Sequence, residues 1–214
     1  MIGGKSGRVA GRWGFGLSVF YAVLVRFYQA AGGTIGVPGT FTEESLDVWY
    51  MANYVAGLLI LLGGVACLFL SEPWVRTLPR RFPVRPGQEL PRPLMLAGCV
   101  VPVLAGGVFA VAHGIVGIVT QLLELCGVIH VDYPSDWVTL DVTALNLWNV
   151  LFYEPWFVAM GICLILAALG YLRQAGIREV VVRRIVWTSY VLIFVLGVLG
   201  TLAVVLKWNV TVGG

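Results

Sequence analysis

Residues 185–206 read IVWTSYVLIFVLGVLGTLAVVL, a run without one charged side chain. A bilayer core about 30 Å thick takes about 20 apolar residues as a helix. This run has that length. Only a helix or a closed barrel satisfies every backbone N–H and C=O group away from water. Four other runs share its character: residues 13–31, 51–70, 94–123 and 145–172. The sequence thus predicts an all-α, polytopic membrane bundle of five transmembrane helices, with residues 1–214 forming a single integral membrane domain.

Composition excludes the alternatives. Hydrophobic residues make up 59% of the 214 positions and charged ones 12%, and mean hydropathy is +0.90. A soluble domain carries roughly 45–50% apolar and about 25% charged residues. So few charges cannot cover a water-soluble globule of this size. Disordered, collagenous and disulfide-scaffold classes need little apolar content, a Gly-X-Y repeat or dense cysteine. Arg26 breaks the first apolar run, and Tyr28-Gln29-Ala30 is a poor cleavage site, so that run reads as an uncleaved helix rather than a signal peptide.

The charges sort by connection. Lys5, Arg8 and Arg12 precede the first run; Arg76, Arg80, Arg81, Arg85 and Arg92 lie between the second and third; Arg173, Arg178, Arg183 and Arg184 lie between the fourth and fifth. The intervening connections hold Glu43, Glu44 and Asp47, then Glu124, Asp132, Asp136 and Asp141, with no Lys or Arg. Twelve of the 14 basic residues therefore fall on one side. The positive-inside rule gives N-terminus in, C-terminus out, and a multi-pass protein of the cell (plasma) membrane. The Pro- and Arg-rich stretch 79–93 is expected to be an extended cytoplasmic loop, since each Pro disfavours helix before it. Its arginines suit anionic headgroups.

Ionisable groups at membrane depth are costly and mark functional sites by default. Three stand out: Arg26, His113 and Glu154. At a rise of about 1.5 Å per residue, Arg26 lies about 20 Å from the inner side and Glu154 about 13 Å below the outer one. His113 falls in the outer half too. Three helices thus place their rare charged or titratable residue in one outer-half layer. An Arg26–Glu154 ion pair would lower the cost of both charges. Gln29, Tyr28, Asn146, Asn149 and Tyr153 are near enough to line the same layer, and the candidate pocket takes all of these but Asn146, together with Trp156. The competing reading is a pair that only locks two helices, with His113 as a neutral packing residue. Pro155 removes a helical hydrogen bond and is expected to kink the fourth helix.

Other constellations are weak. His130 and the acids around it match no calcium loop, so no metal is expected. A short interfacial helix is expected in that connection. Haem would need facing axial ligands, and only His113 lies within a span, so no cofactor is expected. Cys67, Cys99, Cys126 and Cys163 contain no C-x-x-C pair, against thiol redox chemistry. Glycines at 32, 33, 36, 63, 64, 106, 107, 114, 117, 197 and 200 suit close helix packing. Gly32, Gly33 and Gly36 with Pro38-Gly39 predict that the first helix stops there in a tight turn.

Two segments carry a resemblance. Phe27-Tyr28-Gln29-Ala30-Ala31-Gly32-Gly33-Thr34-Ile35-Gly36 resembles the aromatic-x-Ala-x-Gly-Gly-Thr-x-Gly signature that follows the first helix in small actinobacterial membrane proteins of the DUF3995 type. Tyr153-Glu154-Pro155-Trp156-Phe157 is similar to a Glu-Pro-Trp-Phe segment opening a late helix in such proteins. The resemblance implies a small integral membrane protein and no particular activity.

The leading expectation is a polar, outward-facing pocket within the membrane that binds or acts on a small or lipid-like ligand. The second is a non-catalytic structural or accessory subunit of a membrane complex. The third is an oligomeric transporter or channel, against which the absence of an inverted repeat weighs. Expected partners are membrane lipids, a small or lipid-like ligand, and a second copy or partner subunit, with no nucleic acid.

Overall fold

The computed structural model describes residues 4–77 and 87–207. The chain runs to and fro as five long helical segments. The first comprises α1 (Gly4–Tyr21), a π-helical turn (Ala22–Phe27) and α2 (Tyr28–Ala30); the second is α3 (Glu43–Ser71), followed by the short α4 (Pro73–Arg76). The third comprises α5 (Arg92–Met95), a π turn (Leu96–Val100) and α6 (Val101–Leu125). The fourth comprises α7 (Val142–Trp148), a π turn (Asn149–Tyr153) and α8 (Glu154–Gln174), and the fifth is α9 (Glu179–Val205).

Among the described residues, four segments are long and apolar enough to cross a membrane: Glu43–Ser71, Arg92–Leu125, Val142–Gln174 and Glu179–Val205. Residues 4–30 are not among them. Arg12, Arg26 and Gln29 dilute the apolar content of that first segment. Every helical segment begins before its expected apolar run, whereas the first and fifth stop one residue short of the expected end.

Two of the π turns have an evident cause. Pro102 and Pro155 each stand two residues past the end of one, and each lacks an N–H and crowds the carbonyl four residues earlier, Gly98 or Leu151, inside that turn. The helix answers by widening one turn, so the Pro155 kink is a π bulge over 149–153. The turn at Ala22–Phe27 has no proline after it and carries Arg26. π bulges recur at functional sites.

Packing rests on small residues. Without water to expel, membrane helices associate by close backbone approach. Along α1, Gly7, Gly11, Gly14 and Ser18 face Gly170, Ser71, Cys67 and Gly64. A Cβ on Gly7 would stand 2.7 Å from the Gly170 α-carbon. Gly107 and Gly161 do the same between α6 and α8, where each would press a Cβ on the other's carbonyl. The buried core, including Tyr21, Leu70, Met95, Trp156, Met160 and Ala168, centres on α8. By contrast α9 leans mainly on α6 and leaves most of its surface exposed.

The connections at the end where α2 stops pair with one another. β1 (Gly39–Phe41) and β2 (Trp137–Leu140) form an antiparallel ribbon in the register Gly39–Leu140, Thr40–Thr139 and Phe41–Trp137. The expected interfacial helix in the second of these connections is therefore a strand. It has an edge partner there, so its backbone is satisfied by pairing. Asp141 ends the strand and caps α7, accepting from the Ala144 N–H at 2.9 Å.

At the opposite, basic end, Arg12 Nε meets Glu72 at 2.6 Å and Arg76 Nε meets Glu89 at 3.3 Å. Of the expected 79–93 loop, Arg80, Arg81 and Arg85 lie outside the described residues. Thr77 and Glu89 form an isolated antiparallel bridge across it.

Candidate functional site

A cavity of about 270 Å³ lies at the ribbon end of the bundle. Six of the eight residues expected from sequence line it: Arg26, Gln29, His113, Asn149, Tyr153 and Glu154. Each comes from a helix that the argument above positions. Arg26 projects from the π turn of the first segment and Gln29 from α2. His113 comes from the middle of α6. Asn149, Tyr153 and Glu154 come from the π turn before Pro155 and the first residue after it. The wide turn there lets residues four and five apart share one face.

The two remaining residues lie elsewhere. Tyr28 covers Gly33 and its hydroxyl accepts from the Ile35 N–H at 3.4 Å, so it fixes the turn after the first segment. Trp156 stacks on Tyr21, with ring centroids 3.8 Å apart. That stack fills the next layer toward the basic end, together with a Ser18 hydroxyl that donates to the Met160 sulfur at 3.5 Å. The cavity is thus blind in that direction.

Arg26 does not pair with Glu154. Its Nη1 donates to Asn53 Oδ1 at 2.9 Å and its Nη2 to the Tyr21 hydroxyl at 3.3 Å. Asn53 is buried in α3 and held by its own bond to the Trp49 carbonyl at 2.9 Å. Neutral acceptors therefore hold the guanidinium in place. Glu154 is 7% exposed, and its Oε2 has no hydrogen-bond partner. His113 Nε2 stands 3.7 Å from that oxygen, beyond hydrogen-bond reach.

Gln29 is also buried. Its amide nitrogen donates to the Tyr153 hydroxyl at 3.1 Å, which in turn donates to the Gly36 carbonyl at 3.0 Å. Its Oε1 has no partner. Gly36 adopts φ +78°, and any Cβ there would collide with the Tyr153 hydroxyl. Both demands restrict the position to glycine.

Several further residues line the cavity. Trp49 and Trp137 form a wall braced by Phe41, whose ring lies 4.5 Å and 3.9 Å from theirs. The turn Gly36-Val37-Pro38, Leu145 and Phe157 complete the lining. Asn53 was legible in principle, as a strongly polar residue inside an apolar run. Trp49 was not, because its place beside Trp137 depends on a pairing between distant connections.

The acidic connection resolves into structural bonds. Glu124 accepts from Tyr133 Oη at 2.7 Å, Asn146 Nδ2 at 3.0 Å and the Val131 N–H at 3.1 Å. Burial first, and then the neighbouring Glu124 carboxylate, raise the Tyr133 phenol above its ordinary range. Asp132 binds Lys207 at 2.6 Å, and that ammonium holds its carboxyl below the usual value. Among the described residues, no three His, Cys, Asp or Glu side chains converge as a metal set.

The chain matches no family model, no curated protein and no solved structure.

Proposed function

We propose that this multi-pass membrane protein holds a polar pocket within the outer half of the membrane and binds a small or lipid-like ligand there. In this reading residues 4–30 form a fifth span, the basic end faces the cytoplasm, and the membrane is the plasma membrane. The first segment contributes Arg26 and Gln29, and its dilution with polar residues follows from that role. The likeness to DUF3995-type proteins belongs to this reading as well, because both quoted segments border the pocket.

One observation carries the proposal. Glu154 is a carboxyl group almost wholly withdrawn from solvent, beside a cavity, with an oxygen that no protein donor satisfies. Buried polar groups are nearly always paired, and an orphan calls for an explanation. A ligand hydroxyl, amine or amide hydrogen supplies one. The orphaned Gln29 Oε1 repeats the demand, and Arg26 offers a donor to a ligand oxygen. Trp49, Trp137 and Phe157 give the cavity flat apolar walls, the usual make-up of small-molecule sites. The filled layer of Tyr21 and Trp156 speaks against a pore through a single chain.

The test is to purify the full chain in lipid nanodiscs and release bound small molecules for mass spectrometry. Glu154→Leu and Arg26→Met are expected to give monodisperse protein depleted of a species that the unaltered chain retains. If the bound species are the same in all three, the pocket reading is wrong.

A further inference from the structure

We propose that the pocket takes the compact head of a single-chain amphiphile, whose tail leaves beside His113 and lies in the groove between α6 and α9. The inference rests on the pocket reading above and adds the ligand class and its route.

A groove of about 470 Å³ runs between α6 and α9. Leu104, Val108 and Phe109 line it from α6, and Ile185, Leu192 and Leu196 from α9. Its one buried hydroxyl, Ser189, is already spent on the Ile185 carbonyl at 2.9 Å. Arg184 and Thr188 line it as well, both exposed, and the rest of the lining apart from Ser189 is apolar, so along most of its length the groove offers its occupant dispersion contacts, as a hydrocarbon chain requires.

Groove and cavity adjoin at one place. Phe109 lines the groove and His113 lines the cavity, one helical turn apart on the same face of α6. Their rings stack with centroids 5.9 Å apart. On its other side His113 meets Phe157 of the cavity wall at 4.8 Å. The His113 side chain is 45% exposed even though it borders a cavity, so that border opens sideways from the bundle. A molecule in the bilayer can pass there without crossing the ribbon.

Dimensions select the class. The cavity falls just short of the roughly 300–1,000 Å³ usual for drug-sized ligands, so it admits a compact head. From His113 to Leu104 is nine residues of helix, about 14 Å, which sets the tail length held against protein. The groove runs along α6 toward the basic end, the direction a tail takes when its head sits in the outer half. The unpaired oxygens of Glu154 and Gln29 require hydrogen-bond donors on that head.

The test places the photocrosslinker 4-benzoylphenylalanine at Val37, in the cavity, or at Leu192, in the groove, of the full-length chain in cells. Adducts are then identified by mass spectrometry. The same single-chain amphiphile is expected at both positions. Its yield is expected to fall about tenfold at both in Glu154→Leu, the upper end of what one lost hydrogen bond costs. Gln29→Leu provides the same comparison should Glu154→Leu fold poorly. If Leu192 captures only two-chain phospholipids, at yields unchanged by either substitution, the tail assignment is overturned. The pocket reading survives that result where Val37 still captures a Glu154-dependent adduct. With no Glu154-dependent adduct at either position, both readings fall.

Discussion

The carboxyl group of Glu154 rests against the bare α-carbon of Gly117. A Cβ on Gly117 would overlap the Glu154 Cδ and Oε1 directly. The glycine leaves room for a side chain that has few polar contacts of its own, and so sets where the carboxyl stands. Gly117→Ala is therefore expected to push the carboxyl out of position. Release of bound molecules from nanodisc-purified protein should show the same depletion as Glu154→Leu. Gly106→Ala, with nothing within 4 Å of the added methyl, serves as the unaffected comparison.

Arg26 is hydrogen-bonded to Asn53 rather than to Glu154. Interhelical hydrogen bonds in membranes contribute roughly 1–2 kcal/mol in model systems. A double-mutant cycle on Arg26→Met and Asn53→Leu, read by thermal unfolding in detergent, should give a coupling of about 1 kcal/mol. The cycle on Arg26→Met and Glu154→Leu should give a clearly smaller one. The reverse order would mean that the two charges pair in the membrane.

Gly7 and Gly170 set the separation of α1 and α8. Gly7→Leu must drive the helices apart, and overpacking of this kind costs about 1–3 kcal/mol or more. A lowered melting temperature is expected. Gly16→Leu, at a glycine on the same helix with open space around it, should leave the melt nearly unchanged.

Acid should loosen the basic end. The Arg12 guanidinium holds the Glu72 carboxyl below its ordinary value of 4.5. A carboxyl lowered on folding stabilises the fold above its unfolded value, and that contribution fades as pH falls through the folded one. Melting temperature is expected to drop between pH 6 and pH 3 by more in the unaltered chain than in Glu72→Gln. Equal drops would mean that the Arg12–Glu72 contact adds nothing.

Orientation has a simple readout. Cys126 is exposed at the ribbon end, whereas Cys67 is buried and Cys99 and Cys163 are half-buried. In the proposed topology an impermeant maleimide labels Cys126 on intact cells, and Cys126→Ser abolishes the labelling. Labelling that requires lysis would reverse the orientation.

The helices were legible because apolar runs and alternating connection charges are local signals. So was the layer holding Arg26, His113 and Glu154, since depth along a helix follows from counting residues. Rotation about each helix does not. That is why Trp156, two positions beyond Glu154, turned inward to Tyr21, and why Tyr28 settled on Gly33. The partner of Arg26 was misjudged because charge alone suggested Glu154, whereas Asn53 offered a nearer neutral acceptor. The small stripe Gly7, Gly11, Gly14, Ser18 was readable at helical spacing but is interleaved with Lys5, Arg8 and Arg12, which mark only topology.

The ribbon of β1 and β2 has a consequence for biogenesis. Thr40 and Thr139, whose hydroxyls meet at 2.8 Å, are 99 positions apart in the chain. While the nascent polypeptide ends short of residue 137, the first connection has no strand to pair with and Trp49 lacks its neighbour on the wall. The chamber beneath the ribbon therefore closes late in translation, after the third long helix has emerged. A stalled or truncated product would insert its early helices yet leave the chamber without its roof.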